Sequence, residues 1–319
     1  EDGITSSAGW VDLHGCTASR PMMSFSIYLL LPLVSSMGYV VGALLLKRSS
    51  AFGVGLWRTT FVANVMHAVC LGPFWGLGSP AGGGIWWQPV VTSLLFMFGQ
   101  VATLRAIEKG DVSIATPVLG TKIILVALVS ALLLPDPVPF KWWIAAALSV
   151  SAIVLLNRQP SSGMTADRAA TIGPTIMAAL GAAVAFAFFD VLVQKWAPLW
   201  GVGRFLSLNF ILLAVWSLAL IPVFSAPLRQ IARPALPWLI GGSTLLGLQA
   251  AGLTISLGTY GDATAINVVY STRGLWSVLA VWWIGHWFKS EEQHLSSKVL
   301  RLRFYGAGLM LLAVGLVLV

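Results

Sequence analysis

The sequence predicts an all-α membrane protein of ten transmembrane helices arranged as two inverted five-helix repeats. Three observations predict it. Hydrophobic residues make up 57% of the 319 residues and charged ones 9%, which leaves too little charged surface for a soluble fold of this length. The apolar residues fall into ten stretches: 25–46, 54–76, 86–107, 112–134, 142–157, 172–194, 203–224, 235–257, 263–288 and 302–319. Each is close to the length that crosses roughly 30 Å of hydrocarbon at about 1.5 Å per residue. Segments of the first half also recur in the second at a nearly constant offset. The stretches are helices because lipid offers no partner for an unpaired amide, and none shows the alternation of a barrel strand.

The first 24 residues are polar and rich in Gly, Ser and Thr, so they read as a disordered segment without the apolar core of a signal peptide. Met22 and Met23 offer a start of translation, which makes the upstream stretch a candidate non-native extension. A chain begun at Met23 is expected to express and function as the full chain does. The first five-helix repeat occupies 25–157, a polar linker 158–171, and the second repeat 172–319. Trp pairs at 86/87, 142/143 and 282/283 fit interfacial belts. Ala145 and Ser149, or Ala147 and Ser151, make span 5 smooth enough for close helix contact within the fold or in a homodimer.

A net charge of +8 does not imply nucleic acid in such a chain, because Lys and Arg mark cytoplasmic loops. The connections 1–2, 3–4, 5–6, 7–8 and 9–10 carry 12 of them, from Lys47 to Arg303, against 4 (Arg20, Lys141, Lys195, Arg204) on the other side. That count puts both termini outside the cytoplasm. The two cysteines, Cys16 and Cys70, form no metal or disulfide framework, and no nucleotide loop or nucleophile elbow is present. No cofactor is implied.

The repeat is explicit at two places. At an offset of 151, Gly110–Lys122 (GDVSIATPVLGTK) lies on Gly261–Arg273 (GDATAINVVYSTR), with four of thirteen positions identical. At an offset of 148, Leu44–Gly55 lies on Leu192–Gly203 and shares Leu, Lys47/Lys195 and Gly-Val-Gly. An odd number of spans per unit forces opposite orientations, the usual architecture of alternating-access carriers with a midplane site.

Ten spans as five plus five, with GDVSIATPVLGTK in span 4 and its echo in span 9, resemble the drug/metabolite transporter superfamily, EamA-type branch. The resemblance implies a central cavity lined by spans 1–4 and 6–9, with 5 and 10 peripheral. It also implies cytoplasmic termini, against the charge count, so orientation stays open. Many bacterial members carry an acidic residue and a proline mid-span in 4 and 9. This chain has basic residues there, and in that respect is similar to the sugar-phosphate and nucleotide-sugar branch, which holds anions with Lys or Arg.

Lys122 and Arg273 each lie 11 residues past an Asp, about 16 Å along a helix and near mid-bilayer. A charge there costs at least about 2.5–3.5 kcal/mol and must face a cavity or a partner. One reading is an anion clamp; the other is a structural ion pair. Asp190, the single carboxylate well inside a span, either takes up a proton or neutralises Lys122, Arg273 or Arg58. Arg58 sits one turn into span 2, where snorkelling is the simpler account. Asp111 and Asp262 open spans 4 and 9 as caps. Tyr270 and Asn267 share a helix side with Arg273, and Thr121 precedes Lys122. Asn64, Gln100 and Gln249 are further in-span candidates for substrate contact, and His67 for coupling or charge pairing.

These residues predict a secondary active transporter of a small polar metabolite, an organic anion or zwitterion, with the bilayer and its substrate as partners. If the source is bacterial, it lies in the inner membrane. The alternative is an integral membrane enzyme or scaffold acting on lipid-linked substrates, and the clustered interfacial His, Asp or Glu such an enzyme needs is missing from the sequence.

Overall fold

A computed structural model describes residues 28–76, 84–108, 112–157, 166–284 and 297–318. The segment 1–24, Asp111, most of the linker and the side chains of Trp282 and Trp283 lie outside the described residues. Among the described residues the chain is helical, without a strand. The helices are α1 (Leu30–Ser50), α2 (Leu56–Leu71), α3 (Trp87–Glu108), α4 (Val112–Gly120), α5 (Lys122–Leu133), α6 (Phe140–Leu156), α7 (Ala166–Trp200), α8 (Val202–Trp216), α9 (Leu236–Tyr260), α10 (Ala263–Tyr270), α11 (Arg273–Ile284) and α12 (Ser297–Leu318).

Among the described residues, seven stretches are long and apolar enough to cross a membrane: Leu30–Ser50, Trp87–Ile107, Ile114–Leu133, Ile172–Trp200, Val202–Val223, Arg233–Tyr260 and Arg301–Leu318. They fall on predicted spans 1, 3, 4, 6, 7, 8 and 10. The other three predicted spans are helical but shorter or interrupted. Span 2 is the 16 residues of α2 followed by a 3-10 turn, Gly72–Gly76, where Pro73 removes an amide donor. Span 5 is the 17-residue α6. Span 9 is the short pair α10 and α11, of 8 and 12 residues. The structure also differs at the linker: α7 begins at Ala166, inside the predicted 158–171, where Ala166, Ala169 and Ala170 favour helix.

Two turns use glycine for its backbone freedom. Gly53, between α1 and α2, has φ 76°, and Gly201, between α7 and α8, has φ 79°, a region that residues with a Cβ rarely enter. These two positions are equivalent at the offset of 148.

The helices meet along seams of small residues. α1 packs on α9, α7 on α3, and α6 on α12. Where α1 crosses α9, a Cβ on Gly242 would lie 2.9 Å from the Gly42 carbonyl oxygen and 2.8 Å from Leu46. In lipid this close approach supplies the van der Waals contact that holds helices together. Gly242→Val is expected to cost about 1–3 kcal/mol through forced separation of the two helices. Gly241→Val should cost much less, since its Cβ would meet only Leu45, at 3.7 Å. Thermal unfolding midpoints of the two variants in detergent check this, and equal midpoints would contradict it.

Polar side chains link further helices: Thr92 donates to Asn209 (2.6 Å), Trp200 to Gln88 (2.8 Å) and Trp216 to Ser93 (3.0 Å). Trp86 is 73% exposed, in keeping with an interfacial belt, but Trp142 is only 7% exposed. The expectation for Trp142 is therefore corrected: it packs in the main apolar core with Ala145 and Ala146, on the side of α6 that turns inward. Ala145 and Ser149 are buried within the fold, whereas Ala147 and Ser151 remain exposed.

Candidate functional site

Spans 4 and 9 are each broken at mid-length, and the breaks are built alike. Between α4 and α5, Thr121 turns its hydroxyl onto the Val118 carbonyl (2.6 Å), and its amide bonds the same oxygen (3.1 Å). Between α10 and α11, Thr272 does the same to Val269, at 2.7 and 3.1 Å, and the Ser271 hydroxyl bonds Val268 (2.6 Å). These i→i−3 bonds tighten one turn and interrupt the regular i→i−4 ladder there. Pro117 helps in α4 by removing an N–H, but Ala263–Ile284 contains no proline. There the hydroxyls act without one, and Thr272 is also tied across to Ser36 of α1 (3.0 Å). Thr121 and Thr272 are equivalent at the offset of 151.

Each break is followed at once by a cation. Lys122 and Arg273 are the first residues of α5 and α11, where the helix dipole adds positive potential. Their partners differ. Lys122 Nζ lies 2.6 Å from Asp190 Oδ2 of α7, and the two side chains are 14% and 2% exposed. Arg273 lies against aromatic rings instead, 4.8 Å from the Tyr39 centroid and 5.0 Å from that of Tyr270. Those rings are 6.3 Å apart and nearly perpendicular, so they form a corner around the guanidinium. Among the described residues, no carboxylate lies within ion-pair distance of Arg273. The Tyr270 hydroxyl donates to Gln249 Oε1 (2.8 Å), which fixes the ring.

Lys122, Arg273, Tyr270 and Asn267 line one cleft, together with Ile153 of α6. Its volume is about 20 Å³, room for about one water. The structure therefore brings together four of the predicted residues and places Asp190 and Gln249 directly behind them. Asn267 donates its amide to Ala263 O of its own helix (2.9 Å), leaving Oδ1 toward other partners.

The remaining candidates do not line the cleft. Asn64 accepts from Gln100 (2.9 Å) and so bridges α2 and α3. His67 is buried, bonds Ala63 O through Nδ1 (2.5 Å) and stacks on Phe210. Arg58 does not snorkel: it is 5% exposed and donates to Gly53 O (2.7 Å), because the tight turn before α2 presents that carbonyl within its reach. Asp262 does not cap α10 with its side chain either. It takes a left-handed conformation, φ 56°, and its carboxylate accepts from Tyr28 (3.2 Å). Gln194 Oε1 accepts the Ala263 amide in its place (2.8 Å).

Sequence reasoning missed Tyr39. A signal for it existed, since at the offset of 151 Tyr39 falls on Asp190. Each of the two thus meets the cation that follows a helix break in the other half of the chain.

Apolar helices around a buried charged cleft mark an integral membrane protein. Residues 23–158 match the model of the EamA-like transporter family, of the drug/metabolite transporter superfamily. No curated protein matches the sequence. A solved crystal structure of a protein shares the fold, with a TM-score of 0.70 at 15% identity over 92% of this chain and 98% of that chain. That likeness extends the fold through the half beyond residue 158.

Proposed function

We propose that the protein is a secondary active carrier of a small organic anion or zwitterion, working by alternating access through ten spans in two inverted five-helix units. Four pairs of features support the duplication: the positive-φ glycines 53 and 201, the breaks at Thr121 and Thr272, the 3-10 tails after α2 and α8, and the packing of α1 on α9 beside that of α7 on α3. The observation that carries the substrate reading is Arg273, a cation without a carboxylate partner among the described residues, beside a neutralised Lys122. A desolvated guanidinium is matched to a carboxylate or phosphate. Half-helix starts aimed at a midplane site add to the same potential.

The test is counterflow in liposomes. Purified protein should exchange a labelled anion or amino acid against an internal pool, and flux equal to empty liposomes across an anion panel would favour the membrane-enzyme or scaffold alternative.

A cleft with room for one water must open to admit a metabolite. At the end of the bundle where α5 finishes and α10 begins, two adjacent residues of α7 act as a clasp. Lys195 donates to Leu133 O (3.0 Å), and Gln194 holds the Ala263 amide. Removing two bonds worth about 1 kcal/mol each should loosen that end. In Gln194→Ala/Lys195→Ala, a cysteine placed at Ser271 should react with a membrane-impermeant thiol reagent roughly ten-fold faster. An unchanged rate would remove the clasp from the gating scheme.

A further inference from the structure

We infer that Asp190 sets the charge the site accepts, tuning it to an organic group that carries a single negative charge. The inference rests on the anion-carrier reading above and sharpens it. Two cations and one carboxylate meet at the cleft, so one positive charge is left uncompensated among the described residues. Lys122 is not available to a second anionic group while its ammonium is held 2.6 Å from Asp190, and Asp190 is too buried to exchange that partner for water. What remains is one guanidinium edge, held in place by Tyr39 and by Tyr270, itself anchored on Gln249. A monocarboxylate neutralises that edge with two parallel hydrogen bonds. A dicarboxylate or phosphate dianion brings one negative charge too many into a poorly solvated cleft next to the Asp190 carboxylate. A zwitterion brings an ammonium that meets two cations and the Asp190 carboxylate, which is already paired. Both are disfavoured by the same charge count, whatever their shape.

The experiment uses three four-carbon probes at neutral pH: butyrate, succinate and 2-aminobutyrate, with net charges of minus one, minus two and zero. Apparent affinities are read from ligand-dependent thermal unfolding of the full-length protein in detergent, since a ligand that binds only the folded state raises the midpoint. The unmodified protein should bind butyrate about ten-fold more tightly than either other probe, the factor expected when one charge is mismatched at a partly desolvated site. Asp190→Asn adds one positive charge and should bring succinate ahead of butyrate. Lys122→Gln/Asp190→Asn restores the original charge with a different shape, and butyrate should lead again. Arg273→Ala should bind each of the three at least about ten-fold more weakly than the unmodified protein does.

The outcomes separate the two claims. If Arg273→Ala binds the probes as tightly as the unmodified protein does, or no probe stabilises the unmodified protein, the anion-carrier reading falls and this inference with it. If Arg273→Ala binds more weakly but the unmodified protein does not favour butyrate, or Asp190→Asn keeps the original order, only the charge-setting role of Asp190 is overturned. Should Asp190→Asn fail to fold, the probe order of the unmodified protein decides the matter.

Discussion

Arg273→Ala is expected to weaken binding of a transported anion by roughly ten- to a hundred-fold while the protein remains folded, the loss of a charge-assisted hydrogen bond of about 1.5–3 kcal/mol. The fold should survive because, among the described residues, no acid is ion-paired with this guanidinium. What the variant gives up structurally is contact with two rings, worth about 0.5–2 kcal/mol apiece. Arg273→Lys keeps the charge and loses the planar fork, so for a carboxylate it should fall between the two. Concentration dependence of counterflow in liposomes reads all three proteins. Near-normal affinity in the alanine variant would reduce Arg273 to a counter-charge for the aromatic corner.

Lys122→Ala should behave in the opposite way. Its partner Asp190 is 2% exposed, and removing the ammonium strands a carboxylate inside the bundle. Breaking a buried pair in this manner costs about 3–5 kcal/mol, whereas replacing both members with apolar residues of similar size is often close to neutral. Lys122→Ala should therefore lower the unfolding midpoint sharply, and Lys122→Met/Asp190→Leu should recover most of it. If the double variant is as unstable as the single one, the ion pair is not what the fold depends on at this place.

The sequence treats Lys122 and Arg273 as equals, because the only information it carries is their identical spacing from Asp111 and Asp262. Spacing along a helix is local: it put both cations at equivalent positions, and both stand directly after a helix turn in the structure. Which of them meets a carboxylate is decided across helices, where α7 brings Asp190 to one and α1 brings Tyr39 to the other. No periodicity reports that. The apolar stretches were legible for the same reason, since length and hydropathy are properties of one segment. The break in span 4 carried a visible signal in Pro117, but the one in span 9 did not, because Ser271 and Thr272 look like ordinary small residues until their hydroxyls are seen on Val268 and Val269. Arg58 and Asp262 were misread by the commonest account of a charge near a helix start. Arg58 found a nearer carbonyl at Gly53, and the task expected of Asp262 passed to Gln194, a residue on another helix.

Backbone amides in an unbroken membrane helix are bonded and shielded from water, so isotope exchange along such a helix is slow. At Thr121 and at Thr272 the amide is held by an i→i−3 bond instead, a poorer geometry that protects less, placed beside the cleft. Deuterium should enter the bundle first at peptides covering 118–125 and 268–276, which include these turns. An anion seated on Arg273 would hold the turns closed and slow that uptake. The two kinks therefore give the protein a built-in reporter of occupancy, readable by mass spectrometry with unlabelled compounds.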